Sequence, residues 1–314
     1  MTENVPDWSL VIHGGSGRMT RGAVSPAADT AFRAGLAAAL AAGEAVLRAG
    51  GRALDAVEAA VVVLEDAPQF NAGRGAVFTA EGRNELDAAI MDGRSRAAGA
   101  VAGVTRTKNP VRLARAVMEM TPHVLLARDG ADNFALETGL PQVDPAWFHT
   151  DDRWQALQAM KAAAARGESV FDKTLKYGTV GAVARDGAGN LAAATSTGGL
   201  TGKRWGRIGD SPLIGSGTFA DNRSVAISAT GSGEDFIRLG VGHEIGARVR
   251  LLGTLPQVAA DALIAELRAA EGDGGVIFVG HDGSAGWSFN TPSMLRGCVT
   301  ASQKPLVAIF ADGS

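Results

Sequence analysis

The sequence predicts an α+β protein with two stacked β-sheets between layers of helices. Short apolar runs bounded by glycine and aspartate indicate strands, and long stretches rich in alanine and leucine with spaced charges indicate helices. Several strands are joined by short turns; the turn 186–190, Asp-Gly-Ala-Gly-Asn, is typical of a hairpin. Short joins favour antiparallel pairing, and strands that are apolar on both faces must be covered on both faces.

In the first half of the chain, glycine and proline mark the ends of the predicted elements. The pair Gly50-Gly51 ends the first helix, Pro68 follows the second, and Asn109-Pro110 starts the third. The predicted strands are 8–12, 76–79, 86–91, 100–104 and 124–127, and the predicted helices are 26–49, 55–65 and 110–120.

The second half repeats this arrangement after a different kind of segment. Residues from about 140 to 178 carry prolines, acidic pairs and a polar helix near 153–166 but no strand pattern, which is typical of a surface linker. The predicted strands that follow are 179–185, 191–195, 225–230, 276–279, 285–289 and 306–310, and the predicted helices are 234–251 and 255–270.

Composition restricts the classes of protein. A chain of 314 residues with 46% hydrophobic residues can bury a large core, and we treat 1–314 as a single domain. The net charge of −3 disfavours polyanionic partners, so we expect neither nucleic acid nor a membrane. Because no charge-free apolar run of about 18 residues is present and the first residues do not resemble a signal peptide, we predict a cytoplasmic protein. One cysteine, Cys298, excludes an internal disulfide.

The most informative motif is a threonine preceded by glycine at the start of an apolar strand, Gly178-Thr179-Val180. A threonine hydroxyl is a weak nucleophile, and cutting the Gly178–Thr179 bond would free an α-amine to act as its base. Such an amine has a reference pKa of about 7.7–8. Gly178 suits the cut because a residue without Cβ tolerates strained backbone. The alternative is a plain strand start that uses the β propensity of threonine.

Two later loops carry candidate binding groups. Arg207 and Asp210 lie three residues apart in a glycine-rich loop and suit the carboxylate and ammonium of a zwitterion; the alternative is a solvent-exposed ion pair. Thr230, Gly231 and Gly233 place a hydroxyl and backbone N–H groups at a helix start, which suits an oxyanion. The alternative there is simple N-capping.

These motifs and others resemble the plant-type asparaginases, the isoaspartyl aminopeptidase family of N-terminal-nucleophile hydrolases. The matching stretches run in the family's order over nearly the whole chain. They are His13-Gly14-Gly15, Phe70-Asn71-Ala72-Gly73, Glu85-Leu86-Asp87-Ala88, Met91-Asp92-Gly93, Gly99-Ala100-Val101-Ala102-Gly103, Asn109-Pro110, Gly178-Thr179-Val180-Gly181-Ala182-Val183, Thr195-Ser196-Thr197-Gly198-Gly199, Gly209-Asp210-Ser211-Pro212-Leu213-Ile214-Gly215 and Ala229-Thr230-Gly231.

The resemblance implies a four-layer αββα sandwich that cuts itself before Thr179, giving an α subunit, 1–178, and a β subunit, 179–314. It implies hydrolysis of isoaspartyl dipeptides and L-asparagine to L-aspartate through an ester on Thr179, with no cofactor for catalysis. It further implies roles for the remaining site residues. Thr197 assists Thr179, Asn71 lies against it, Thr230 and Gly231 form the oxyanion hole, and Arg207, Asp210, Gly231 and Gly233 bind the substrate.

Two further features follow from the resemblance alone. A dimer of αβ heterodimers is expected, and a structural sodium ion is expected in the loop 64–74. The backbone carbonyls expected to hold it are those of Leu64, Glu65, Ala67, Phe70, Ala72 and Arg74.

Three rival readings remain open. A glycosylasparaginase would have the same fold and nucleophile, but it favours Asp-Thr-Ile-Gly at the cut and secretion. A non-enzymatic, non-processing homologue would be favoured by loss of Thr179, Thr197 or Thr230, and all three are present. A protease acting on protein targets has no support beyond the shared nucleophile.

Overall fold

A computed structural model describes residues 7–167 and 178–311 of the chain, and the mixed α+β class predicted from the sequence is confirmed. The helices are α1 (Pro26–Arg48), α2 (Ala53–Asp66), α3 (Pro110–Met120), α4 (Arg128–Glu137), α5 (Asp151–Ala165), α6 (Gly233–Leu239), α7 (Val241–Leu252) and α8 (Pro256–Ala269). The strands are β1 (Ser9–Gly17), β2 (Leu86–Asp92), β3 (Ala98–Val104), β4 (Leu125–Ala127), β5 (Val180–Arg185), β6 (Leu191–Thr197), β7 (Thr218–Ala220), β8 (Val225–Gly231), β9 (Gly274–Gly280), β10 (Ala285–Phe289), β11 (Ser293–Thr300) and β12 (Leu306–Phe310).

The strands form two sheets. The eight-stranded sheet has the order β12-β11-β1-β5-β6-β2-β3-β4, and the four-stranded sheet has the order β10-β9-β8-β7. Apart from the parallel pair β3–β4, the neighbouring strands are antiparallel. The short joins in the sequence predicted antiparallel pairing, and β5 lies near the centre of the larger sheet between β1 and β6.

Alternation along the strands separates two buried clusters. Leu10 and Ile12 of β1 pack in a cluster with α1, α2 and α3, whereas Val11, between them, packs in a second cluster with residues of the smaller sheet. Val183 of β5 and Ile227 of β8 share that second cluster. Because successive strand side chains point to opposite faces, the larger sheet buries both faces.

Helix α1 shows how local sequence sets an element. Ser25 caps its start by accepting a hydrogen bond from Ala28 N–H at 3.2 Å, and Pro26 occupies the first turn. By length and composition alone, α1 is apolar enough to cross a membrane. Its buried face, which includes Leu36, Leu40 and Leu47, packs in the first cluster, as in the core helix of a folded domain.

Several predicted elements differ from those in the structure. The predicted strand 76–79 makes only isolated bridges, at Phe78 and Thr79. The predicted helix 234–251 is two helices, because Gly240 has a left-handed φ of 57° that ends α6 and begins α7. Strands β7 and β11 and helix α4 were not predicted at all.

The predicted surface linker, about 140–178, is well anchored over its described part. Phe148 is fully buried, and Leu157 and Met160 of α5 pack with Phe78. Arg153 donates hydrogen bonds to the Gly75 and Gln69 carbonyls at 3.0 and 3.2 Å. The stretch 168–177 of this linker lies outside the described residues.

Candidate active site

Thr179 and Thr197 meet because of strand register. In the antiparallel pair β5–β6, Val180 lies opposite Ser196, so the next residues outward, Thr179 and Thr197, face each other. Thr179 Oγ1 donates a hydrogen bond to Thr197 Oγ1 at 3.1 Å. The hairpin at 186–190 sets this register, and the hydroxyl pair follows directly from the sequence between the two strands.

Gly178 has the backbone conformation for which it was singled out. Its φ is 64°, in the left-handed region that favours glycine. A Cβ at Gly15 would collide with the Gly178 backbone, and a Cβ at Gly178 would collide with the Gly14 carbonyl. The Gly178–Thr179 bond is therefore held against the irregular part of β1 at Gly14 and Gly15, where the register shifts, with Thr179 partly exposed.

The turn after Thr197 is fixed from two sides. Gly199 N–H donates to Thr197 Oγ1 at 3.0 Å, so this oxygen accepts hydrogen bonds from both Gly199 and Thr179. Asn71 Nδ2 donates to the Gly199 carbonyl at 2.8 Å, and the Gly198 N–H donates to the Asn71 carbonyl at 3.0 Å. Asn71 thus holds the turn that carries Thr197 in place.

A buried ion pair that sequence reasoning missed supports the same turn. Lys203 Nζ donates to the Glu85 carbonyl at 2.8 Å and lies 4.0 Å from Asp87 Oδ2; Asp87 pairs with Thr197 in the β2–β6 register. Burial lowers the pKa of Lys203 and raises that of Asp87, and the attraction between the two opposes both shifts. Their charges stabilise each other beneath the turn.

Thr230 and Gly231 lie at the end of β8, where the smaller sheet approaches β1. Ser16 N–H donates to Thr230 Oγ1 at 3.3 Å, and Ser16 Oγ donates to the Thr230 carbonyl at 3.1 Å. Gly231 pairs with Gly274 of β9. The end of β1 that contacts Gly178 therefore also contacts the predicted oxyanion residue Thr230.

Arg207, Asp210 and Gly233 converge in a second group. A Cβ on Gly233 would lie 2.8 Å from Arg207 Nη2 and 2.9 Å from Asp210 Oδ1. The Arg207 guanidinium makes a bidentate pair with Glu234, at 2.9 and 3.0 Å. The Arg207 guanidinium is thus placed to bind a carboxylate through two hydrogen bonds. A substrate carboxylate would have to displace Glu234 from Arg207 or bind beside it.

Asp210 is buried, and its Oδ2 atom has no hydrogen-bond partner among the described residues. Burial raises the pKa of the Asp210 carboxyl to about 7, opposed by its own backbone N–H and by the charge of Arg207. A buried carboxylate oxygen without a donor is suited to accept from an ammonium group.

Gly217 connects the two groups. Its carbonyl oxygen lies 3.2 Å from Thr195 Oγ1, and its N–H donates to the Asp210 carbonyl at 3.1 Å. Thr195 precedes Thr197 by two residues on β6 and points to the same face. Through Gly217, the strand that carries Thr197 is therefore in contact with the loop that carries Asp210.

The loop 64–74 is compact and closed by backbone groups. Pro68 has no N–H to offer the Leu64 carbonyl at the end of α2, whereas the Ala67 and Ala72 carbonyls accept from Phe70 and Gly75. A Cβ at Gly73 would meet the Glu65 carbonyl, and one at Gly75 would meet that of Phe70. Within 7–167 and 178–311, no group of three His, Cys, Asp or Glu side chains could hold a metal ion, so a cation in this loop would need carbonyl ligands.

Sequence reasoning gave His13 no role. The structure places the fully buried His13 ring beside Thr179, with Nδ1 3.0 Å from the Thr179 carbonyl oxygen and Nε2 2.9 Å from Ser228 Oγ. Burial lowers the pKa of His13 to about 3, so the ring is neutral near pH 7. The only available signal was the His13-Gly14-Gly15 motif, since these contacts join residues far apart in sequence.

The chain is similar to known proteins over most of its length. A family model described as asparaginase matches residues 6–309. The isoaspartyl peptidase of Salmonella typhimurium is 45% identical over 96% of this chain and 98% of its own length, and that of Escherichia coli is 44% identical over 96% of each. The isoaspartyl peptidase/L-asparaginase of Rattus norvegicus is 42% identical over 87% of this chain and 80% of its own.

The resemblance drawn from the sequence motifs is therefore confirmed, because the match extends from before β1 to within β12 rather than covering isolated motifs. The site residues lie within that match. This chain belongs to the asparaginase family.

Proposed function

We propose that this chain is a self-processing hydrolase that releases L-aspartate from isoaspartyl peptides and from L-asparagine. The observation that carries the proposal is the Thr179–Thr197 hydroxyl pair directly behind a left-handed Gly178. The names of the bacterial and rat relatives supply the substrate class. Arg207 and Asp210 support an acyl group that carries both a carboxylate and an ammonium.

In the proposed processing step, Thr179 Oγ1 attacks the Gly178 carbonyl carbon. The Thr197 hydroxyl relays the Oγ1 proton to the Thr179 nitrogen, and the C–N bond breaks to give an ester on Oγ1 and a free Thr179 amine. Water then hydrolyses the ester to a Gly178 carboxylate. The products are an α subunit, 1–178, and a β subunit, 179–314.

In the proposed hydrolysis, the freed Thr179 amine accepts the hydroxyl proton as Oγ1 attacks the side-chain amide carbon of the substrate. The leaving ammonia or amino acid takes that proton, and a β-aspartyl ester remains on Thr179. Water hydrolyses the ester and releases aspartate. The Thr230 hydroxyl and the Gly231 N–H are proposed to stabilise the oxyanion.

Arg207 is proposed to bind the substrate α-carboxylate, and Asp210 the α-ammonium, with Gly231 and Gly233 forming the adjacent wall. The convergence of Arg207, Asp210 and Gly233 supports this assignment. The partner of Asp210 Oδ2 would then be the ammonium of the substrate. Asn71 is proposed to act by holding the Thr197 turn.

The same proposal covers the finer architecture: a four-layer αββα sandwich, a dimer of αβ heterodimers and a cytoplasmic enzyme with no cofactor for catalysis. We also propose that a sodium ion stiffens the loop 64–74 through the carbonyls of Leu64, Glu65, Ala67, Phe70, Ala72 and Arg74. A melting temperature that is higher in NaCl than in choline chloride of equal ionic strength would support the ion. Equal values would reject it.

The test of the central role is Thr179→Ala beside Thr179→Ser, each followed by intact mass and by aspartate release. We expect the alanine variant to remain a single chain without activity, because it lacks the attacking oxygen. The serine variant keeps a hydroxyl and should cut and turn over, more slowly. A cut between 178 and 179 in Thr179→Ala would refute the mechanism.

A further inference from the structure

Four buried side chains form a line between the two sheets that ends at Thr179. They are His13 of β1, Ser228 of β8, Thr195 of β6 and Thr218 of β7, and none exposes any surface. Ser228 Oγ lies 2.7 Å from Thr195 Oγ1, and Thr218 Oγ1 donates to Thr195 Oγ1 at 2.7 Å. The line alternates between the larger and the smaller sheet at each step.

The chemistry of the groups fixes the direction of the hydrogen bonds. The Thr179 carbonyl can only accept, so His13 Nδ1 must carry the proton and Nε2 must accept from Ser228 Oγ. The Ser228 hydroxyl donates its only hydrogen to the ring. In the contact between Ser228 and Thr195, the Thr195 hydroxyl must therefore be the donor. Each hydroxyl thus donates towards Thr179, and the ring is a neutral Nδ1–H tautomer.

The backbone leaves space for this line at one position. Gly181 lies opposite His13 in the β1–β5 register, and a Cβ there would collide with Ser228 Oγ and lie 2.6 Å from His13 Nε2. A larger residue at Gly181 would separate the imidazole from the serine. The space that the His13–Ser228 contact needs therefore explains the glycine of the Thr179-Val180-Gly181 motif, which β propensity does not.

We propose that His13 is a positioning residue for the nucleophile, an inference that rests on the proposed role of Thr179. Its Nδ1–H holds the Thr179 carbonyl and thereby fixes the backbone from which Oγ1 points to Thr197. After cleavage Thr179 is a chain terminus, and termini are poorly ordered unless they are tied down. The line of hydroxyl groups keeps the His13 ring in place. After the cut, His13 belongs to the α subunit, and its hydrogen bond holds the first residue of the β subunit.

The test compares fully processed His13→Gln and His13→Asn by steady-state kinetics on L-asparagine and an isoaspartyl dipeptide. The asparagine amide can reach the position of Nδ1 and keep the bond to Thr179, whereas the longer glutamine amide reaches towards Nε2. We expect kcat of His13→Gln to fall about 10- to 100-fold with KM within about two-fold, and His13→Asn to recover most of it. A purely structural role would give equal losses in both.

His281 supplies the matched control. Its Nδ1 also lies 3.0 Å from a backbone carbonyl, that of Ser224, but away from Thr179. His281→Asn should leave kcat and KM unchanged, and Ser228→Ala, which removes the anchor of the ring, should lower kcat less than His13→Gln. Wild-type kcat in His13→Gln, with Thr179→Ala inactive, would overturn only this inference. An active Thr179→Ala would instead overturn the proposed function.

A measurement on the wild-type protein covers the case in which His13 variants fail to fold or process. Nitrogen NMR of labelled protein should show one histidine that stays the neutral Nδ1–H tautomer from about pH 5 to about pH 8, both in the wild type and in His281→Asn, which removes the other ring whose Nδ1 faces a carbonyl. The opposite tautomer at every histidine, or protonation of all of them near the reference value of about 6.5, would overturn the proposal.

Discussion

The nucleophile centre and the substrate loop are built in different ways. Thr179 and Thr197 are set by the register of two central strands; His13 contacts the Thr179 carbonyl, and Asn71 holds the turn after Thr197. Arg207 and Asp210 lie in a loop outside regular structure, and Arg207 is engaged by Glu234 on the surface side. The first region should therefore serve both self-cleavage and hydrolysis, and the second should serve hydrolysis alone.

The strongest test of this division is Thr197→Val, which keeps the shape of the side chain but removes the acceptor for the Thr179 hydroxyl. We expect both processing and turnover to slow by about 10²-fold or more. Thr300→Val, at the partly exposed end of β11, is the control and should slow neither processing nor turnover. Normal processing in Thr197→Val would break the comparison, because the hydroxyl pair would then be dispensable for the cut.

The converse test is Arg207→Ala. Removing a charge that pairs with the substrate carboxylate should raise the free-energy barrier measured by kcat/KM by about 2–5 kcal/mol. We expect both a higher KM and a lower kcat. Processing, followed by intact mass, should be unchanged. Arg238→Ala removes an exposed partner of Asp235 and serves as the control. Unchanged kinetics in Arg207→Ala would reject its role.

The pH dependence of substrate capture sharpens the account of the loop. Asp210 must be ionised to pair with an ammonium, and its pKa is raised to about 7. Protonation of the Thr179 amine, with a reference pKa of about 7.7–8, already lowers kcat/KM by up to tenfold per pH unit. Below about pH 7, protonation of Asp210 should steepen this fall to up to about a hundredfold per pH unit. Asp210→Asn should have a low kcat/KM that keeps only the tenfold slope, and the steeper slope in Asp210→Asn would assign it to another group.

The smallest effect is expected in stability. Folded His13 stays neutral down to about pH 3, whereas the unfolded chain takes up a proton near the reference pKa of 6.5. The unfolded state thus binds more protons as pH falls below 6.5, and the free energy of unfolding should decrease by up to about 1.4 kcal/mol per pH unit.

Glu65 and Asp210 have raised pKa values, about 8 and about 7, because of burial, and they give the opposite slope above their unfolded values. The difference in stability between the wild type and His13→Asn isolates the histidine, since both proteins share the two acids. Denaturant unfolding at several pH values measures it. A difference that stays constant between about pH 7 and about pH 5 would contradict a buried neutral His13.

The same contrast explains what the sequence could predict. The β5–β6 register follows from a hairpin between two apolar runs, and Thr179 was singled out from local sequence, whereas the role of Thr197 came from the family resemblance. Strand β11 was missed because a buried Arg296 interrupts its apolar pattern; its guanidinium donates to the Met294 and Phe310 carbonyls and lies over Trp287. The break at Gly240 was missed because glycine also occurs inside helices.

The supporting contacts of the site were beyond local reasoning. The His13 ring meets Thr179 and Ser228, which are 166 and 215 positions away. Ser228 and Thr195 look like ordinary strand residues until the two sheets are placed together. Glu234 beside Arg207 was equally hidden, because a loop sets its own geometry without a repeating pattern.

The most direct measurement is a time course of freshly purified protein at neutral pH, with intact mass and aspartate release from L-asparagine recorded on the same samples. Activity should rise in proportion to the fraction of chain cut between Gly178 and Thr179 and should be zero when no chain is cut. Full activity in an uncut chain would contradict the claim that a freed Thr179 amine is the catalytic base.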